Sequence, residues 1–225
     1  MIRLVVATRS TTQNFLAESL LGRSIVKSRL PGVQLRIFPE NKNGLPTVYN
    51  QAIREAASSP ARLVFIHDDV FLLDFFWAQN LESSHKLFDV VGLAGNIRRL
   101  PLQPSWAFID TELTWDSSEN LSGSVGHGVG PESYQISNYG KVSRKVALLD
   151  GLFLSVSSSI LLEKNLFFDE RFKFHFYDLD FCRSANLLGL SCGTASIAVI
   201  HRSGGGFRNQ AWSDGFSKYI EKWGD

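Results

Sequence analysis

Three short strand-like runs, at 2–7, 33–38 and 63–66, the first and third mostly apolar, are separated by two stretches of helical periodicity, and each run ends in polar residues. Apolar residues along such a run place both faces of a strand in a core, as parallel sheets require. Between the runs, Thr11 and Thr12 can cap a helix carrying Phe15, Leu16, Leu20 and Leu21, and Val48, Ala52, Ile53 and Ala56 line one face of a second helix. Strand–helix–strand–helix–strand predicts an α/β domain with a mostly parallel, Rossmann-like central sheet flanked by helices. Ligands of such sheets bind beyond the carboxyl ends of the strands. Thr8-Arg9, Glu40 and Asp68-Asp69 stand at those ends and are expected to converge.

The remaining chain is less regular. Residues 98–145 show no clear periodicity and contain a glycine-rich stretch at 122–130, which reads as a flexible loop. It lacks the Lys-Ser/Thr ending of a phosphate loop. Strand-like runs follow at 146–156 and 191–200, with a helix at 178–188 closed by Gly189 between them. At the C-terminus Trp212, Phe216, Tyr219, Ile220 and Trp223 form the face of a helix expected to pack on the core rather than on a membrane surface.

With 225 residues, the chain fits one large α/β domain. A formal net charge of +1 supplies no field for nucleic acid or for an acidic membrane, and no partner of the former kind is expected. Cys182 and Cys192, the only cysteines, have no ligand-like spacing, which predicts a reduced, cytoplasmic setting without structural zinc. No apolar run approaches the roughly 20 residues of a membrane span, although contact with a membrane surface stays open.

Candidate chemistry lies in three acidic or basic groups. Asp68 and Asp69, adjacent beyond a buried strand, repel each other, and a hard divalent cation would compensate; a solvated turn is the alternative. Asp178 and Asp180 open a helix after Phe172, Phe174 and Phe176, where a carboxylate among aromatic rings gains proton affinity as a general base needs; helix capping is the plainer reading. His201 ends a strand before the glycines 204–206 and could complete a metal site, whereas His67, His85, His127 and His175 have weaker claims. No Gly-x-Ser-x-Gly elbow is present.

In chain order these pieces resemble the GT-A fold, family-two type of glycosyltransferase. The residues carrying the match are Asn43-Gly44-Leu45 with Tyr49-Asn50-Gln51-Ala52-Ile53, and the run from Leu63 to Val70 through His67-Asp68-Asp69. Leu149-Asp150-Gly151, Phe168-Asp169-Glu170-Arg171-Phe172 and Tyr177-Asp178-Leu179-Asp180 follow, then Val199-Ile200-His201 and Lys222-Trp223-Gly224. The resemblance implies one domain, with a nucleotide-sugar-binding half at 1–97 and an acceptor-binding and catalytic half at 98–225. It implies Mn2+ or Mg2+ on Asp69 and His201, and donor contacts from Thr8, Arg9, Glu40, Asn50, Asp68 and Asp150. The catalytic base would be Asp178 or Asp180. The implied reaction is inverting transfer from a nucleoside diphosphate sugar, UDP-sugar favoured, to a glycan or lipid-linked glycan of polysaccharide biosynthesis.

Two positions depart from the family pattern. His67 stands where many relatives have aspartate, and Tyr177 replaces the usual glutamate before the base. A nucleotidyltransferase would share the sheet-end metal site but would show a glycine-rich, basic loop after the first strand, where this chain has Thr8-Arg9-Ser10-Thr11-Thr12. A catalytically silent nucleotide- or glycan-binding domain is the other alternative.

Overall fold

A computed structural model of the chain describes residues 1–28, 32–203 and 205–225. Strand β1 (Ile2–Ala7) is buried between two parallel neighbours, β2 (Val33–Phe38) and β3 (Arg62–Ile66). The Thr11 hydroxyl caps α1 (Thr12–Glu18) by accepting from the Asn14 amide at 3.2 Å. Extended Ser19 then breaks the expected single helix, and α2 (Leu20–Ser28) continues beyond it. Helix α3 (Leu45–Glu55) leads into β3 and buries Val48, Ala52 and Ile53, the face its periodicity marks.

The chain continues through β4 (Val70–Leu72), α4 (Trp77–Ser84), β5 (Val90–Gly92) and β6 (Ala94–Asn96). A hairpin of β7 (Leu121–Gly130) and β8 (Ser133–Gly140) precedes the short β9 (Lys145–Val146) and β10 (Leu148–Leu149). Then come β11 (Phe153–Ser157), α5 (Ser158–Glu163), α6 (Tyr177–Leu187), β12 (Cys192–Thr194), β13 (Val199–His201) and α7 (Gln210–Trp223).

One sheet of seven strands runs β2-β1-β3-β11-β5-β12-β9; β2–β1, β1–β3 and β5–β12 are parallel, and β11 and β9 pair antiparallel. A second sheet runs β10-β6-β7-β13-β4, with β8 on β7. The architecture is α/β, a Rossmann-like sheet with antiparallel additions, as the resemblance implies.

Three further expectations need correction. Residues 122–130 are not a loop: they form β7, paired with β6, β13 and β8. Their glycines serve close approach, because a Cβ on Gly123 would overlap the backbone of Leu93 and Ala94, and one on Gly128 that of Ser133 and Tyr134. The stretch 146–156 is interrupted by a turn at Asp150-Gly151, and 191–200 divides into β12 and β13, which belong to different sheets.

The core holds an aromatic cluster in which Phe168 stacks on Phe181 with centroids 4.3 Å apart and meets Phe65 edge-on at 4.9 Å. Helix α7 packs as its spacing predicts, setting Tyr219 5.5 Å from Phe176 and burying Trp212. Both cysteines are buried and free. No described helix is long and apolar enough to cross a membrane.

Candidate active site and metal centre

Strand register brings distant polar residues together. Asp69 immediately precedes β4, whose antiparallel pairing with β13 sets His201 opposite Val70, so the carboxylate and the imidazole become neighbours. The parallel pairing of β13 with β7 sets His127 beside His201. On the other side β11 runs antiparallel to β3, and the His67 amide donates to the Leu152 carbonyl at 3.1 Å. That pairing places the Asp150-Gly151 turn against His67 and against the start of α6.

His201 Nε2 lies 3.3 Å from Asp69 Oδ1, within ion-pair distance, yet it is buried and has no aligned hydrogen-bond partner. One donor atom from each of His67, Asp69 and His201 lies within 4.8 Å of the others. A buried, orphaned imidazole nitrogen beside a carboxylate and a second imidazole is the donor chemistry of a divalent cation. Burial favours the neutral ring of His201, but the Asp69 carboxylate outweighs it and raises the His201 pKa above its ordinary value. Burial first, and the His201 charge second, push His67 below its ordinary value of 6.5, so its ring is neutral at pH 7.

Asp178 lies in the first turn of α6. Its Oδ2 accepts from the Gly151 amide at 2.9 Å and its Oδ1 from the Leu179 amide at 3.0 Å. Burial, reinforced by the neighbouring Asp150 charge, pushes the Asp178 carboxyl up to about 7. Asp150 is itself held by Trp106 Nε1, which donates at 2.5 Å, and by the Leu152 amide at 2.8 Å. Tyr177, buried beside them, donates its hydroxyl to the Gly151 carbonyl at 2.7 Å. Gly151 has to be glycine, because a Cβ there would overlap that hydroxyl.

Asp69, Asp178, Asp68, Asp150, Arg9 and His201 all line one cavity of about 450 Å³. Four other expected site residues do not line it, and each has a structural occupation. Thr8 is buried; its amide donates to the Phe38 carbonyl at 3.0 Å and its carbonyl accepts from Asn41 at 2.8 Å, which ties the β2 end to β1. Glu40 is exposed at a backbone φ of 48°, and its amide donates to the Ser10 carbonyl. Asn50 spans the core: its Nδ2 donates to the Phe168 carbonyl and to Glu170 Oε1, both at 2.9 Å, and its Oδ1 accepts from the Phe168 amide at 2.9 Å. Asp180 turns to the C-terminus, where it pairs with Lys222 at 2.7 Å and accepts from Trp223 Nε1 at 2.9 Å.

The cavity also has residues to which sequence reading gave a weaker claim or no site role. His67, His127 and Tyr177 line it, and so does an aromatic wall of Trp106, Phe108, Trp115 and Tyr139 from the segment that shows no periodicity. Trp115, 54% exposed, stacks on Tyr139 at 5.8 Å and 16° and meets Phe108 edge-on at 5.0 Å. An exposed tryptophan held flat by two rings was signalled only by the aromatic content of 98–145. Ser203, Gly205, Gly206 and Phe207 edge the same cavity, while Gly204 of the glycine run after His201 lies outside the described residues.

Among solved structures, GalNAc-T7 with UDP, GalNAc and Mn2+ aligns at TM-score 0.53 and 10% identity, covering 98% of this chain and 47% of that one. A197 from STIV aligns at TM-score 0.49 and 12% identity, with 90% and 85% covered. S. aureus TarS aligns at TM-score 0.44 and 14% identity, with 90% of this chain and 35% of that chain covered. The chain therefore spans less than half the length of GalNAc-T7 and about a third of TarS. No curated protein matches the chain. The family model described as "Glycosyltransferase like family" matches residues 32–204, from the second strand of the parallel sheet to just past His201. A match over most of the chain, on a GT-A frame, makes this protein a member of that glycosyltransferase-like family.

Proposed function

We propose that the chain transfers a glycosyl group from a nucleoside diphosphate sugar, with UDP as the favoured nucleotide, to a hydroxyl of a glycan or lipid-linked glycan, inverting the anomeric carbon in one displacement. The observation that carries this reading is the sharing of one cavity by Asp178 and the His67, Asp69 and His201 donor set. The presence of UDP, GalNAc and Mn2+ with GalNAc-T7, a fold relative, is consistent with it.

In this mechanism Asp178 accepts the proton of the acceptor hydroxyl as that oxygen attacks the anomeric carbon. A base near pKa 7 is charged often enough to accept a proton at neutral pH and basic enough to keep it. The sugar ring passes through an oxocarbenium-like state, as in glycoside hydrolysis. Asp150, steadied by Trp106 and the Leu152 amide, and Asp68 hold the donor sugar and ribose. Arg9, exposed at the cavity edge, faces the phosphates. Asp69 and His201 would hold Mn2+ or Mg2+, which when bound neutralises charge on the departing diphosphate. Trp115 and its flanking rings offer a flat apolar face on which an acceptor sugar ring can lie. Residues of 1–97 thus serve the donor, and those of 98–225 serve the acceptor and the proton transfer, with Asp150 and His201 of that half also reaching the donor.

A thermal-shift screen of nucleotides and nucleotide sugars with and without Mn2+ tests the reading. At ligand concentrations about 100-fold above Kd, binding stabilises by about 2.7 kcal/mol, or roughly 5–10 °C for a chain of this size. Nucleotide sugar consumption should accompany the shift. A melting temperature unmoved by every nucleotide and metal pair would refute the proposal.

A further inference from the structure

The two positions that depart from the family pattern touch. His67 Nε2 and the Tyr177 hydroxyl lie 3.0 Å apart across 110 residues of sequence. The same hydroxyl donates to the Gly151 carbonyl at 2.7 Å. One phenolic proton cannot serve both contacts. If it pointed at His67, the Tyr177 oxygen and the Gly151 carbonyl would face each other as two acceptors at hydrogen-bond distance. Nε2 is therefore the protonated nitrogen of His67, donating to Tyr177, and Nδ1 carries the ring's lone pair. No hydrogen bond to Nδ1 is found among the described residues. The absence of a side chain at Gly151 leaves room for the hydroxyl that sets this tautomer.

We propose that His67 Nδ1 is the third protein ligand of the cation held by Asp69 and His201, that Tyr177 is the positioning residue fixing its tautomer, and that the resulting site selects Mn2+ over Mg2+. The proposal rests on the divalent-metal reading above. Its grounds are chemical. A donor set of two neutral imidazoles and one carboxylate has lost an anionic oxygen that a hard ion needs, and has gained a nitrogen that first-row transition ions accept more readily than Mg2+ does. Ligating imidazoles characteristically donate their other N–H to an outer partner, which orients the ring. The tyrosine is thus the counterpart of the histidine, and the two departures form one unit.

The test titrates Mn2+ into the whole chain, alone and then with UDP, and follows the loss of the free-ion electron paramagnetic resonance signal, with Mg2+ as competitor. Wild type should bind Mn2+ and yield it to Mg2+ only at large molar excess. Tyr177→Phe should weaken Mn2+ binding by about 10- to 100-fold, the usual cost of losing an outer partner. His67→Ala should weaken it at least as much and reduce the nitrogen modulation of the spin echo from two imidazoles to one. His67→Asp, which restores a carboxylate, should keep a site but narrow the preference for Mn2+. Wild-type Mn2+ affinity in both His67→Ala and Tyr177→Phe, with loss in Asp69→Ala, would overturn this inference and leave the proposed function standing. Failure of wild type to bind Mn2+ even with UDP would remove both.

Discussion

A carboxylate that takes a proton at neutral pH needs surroundings that oppose its charge, and Asp178 has two: burial in the cavity wall and the Asp150 carboxylate nearby. Its folded pKa of about 7 stands above the ordinary 3.8, so between those values the folded chain keeps a proton that the unfolded chain releases. The stability this contributes is complete below about pH 4 and is lost as pH rises through about 7. Melting temperature should therefore fall from pH 5 to pH 8 in wild type and fall less in Asp178→Asn, while the wild-type transfer rate should rise with an apparent pKa near 7. Parallel melting profiles for the two proteins would remove Asp178 as the titrating group. Asn50 illustrates what residue type alone conceals. Its amide carries the same donors and acceptors as one that binds a ligand, but they meet Phe168 and Glu170. Asn50→Ala should cost about 1–3 kcal/mol for each buried group left unpaired, measured by denaturant unfolding, with UDP affinity of the folded protein unchanged. A tenfold loss of UDP affinity at equal folding would restore a donor role. Asp180 and Glu40 were legible as polar residues at element ends, and the direction they face was not. His67 carried only a weak claim because its contact with Tyr177, a partner 110 positions away, is made by the fold.

At the scale of elements, apolar runs and helical periodicity marked β1, β2, β3, α3, α6 and α7 because each of them presents a regular pattern of burial to one core. The β7–β8 hairpin gave no such signal. Glycine in a sequence reads as conformational freedom, whereas in β7 it is the absence of a Cβ that lets neighbouring backbones approach. The register shifts at Gly123/Ser124 and Gly128/Gly130 further obscure any alternation. Gly128→Val should therefore destabilise the fold by about 1–3 kcal/mol or more through overpacking against Tyr134, detectable by thermal melting. An unaltered melting temperature would mean that 122–130 behaves as the loop its composition suggests. The division of 191–200 into two strands was equally hidden, because neither a charge nor a proline marks the break and only their partners, β5 and β9 for β12 and β4 and β7 for β13, tell them apart.

Over the whole molecule, the motifs that carry the family resemblance separate into two kinds. His67, Asp68, Asp69, Asp150, Tyr177, Asp178 and His201 face the cavity. Asn50, Asp169, Glu170, Asp180, Lys222 and Trp223 instead bind the scaffold behind it, with Lys222 paired to both Asp169 at 2.8 Å and Asp180 at 2.7 Å. The second set fixes α6 and α7 and so holds the first turn of α6, with Asp178, in the same cavity wall as His67 and Asp69 of the β3–β4 turn and His201 at the end of β13. Chain order alone shows neither sorting nor convergence; both arise when two sheets close on one cleft. The central claim is that cation binding and proton acceptance are separate duties of one cleft. Calorimetry of Mn2+-dependent UDP binding, run beside turnover for Asp69→Ala and Asp178→Asn, tests it most directly. Asp69→Ala should lose the Mn2+-dependent binding, and Asp178→Asn should keep it while transfer drops by about 100- to 10,000-fold. Undiminished transfer by Asp178→Asn, or unchanged Mn2+-dependent UDP binding by Asp69→Ala, would contradict the claim.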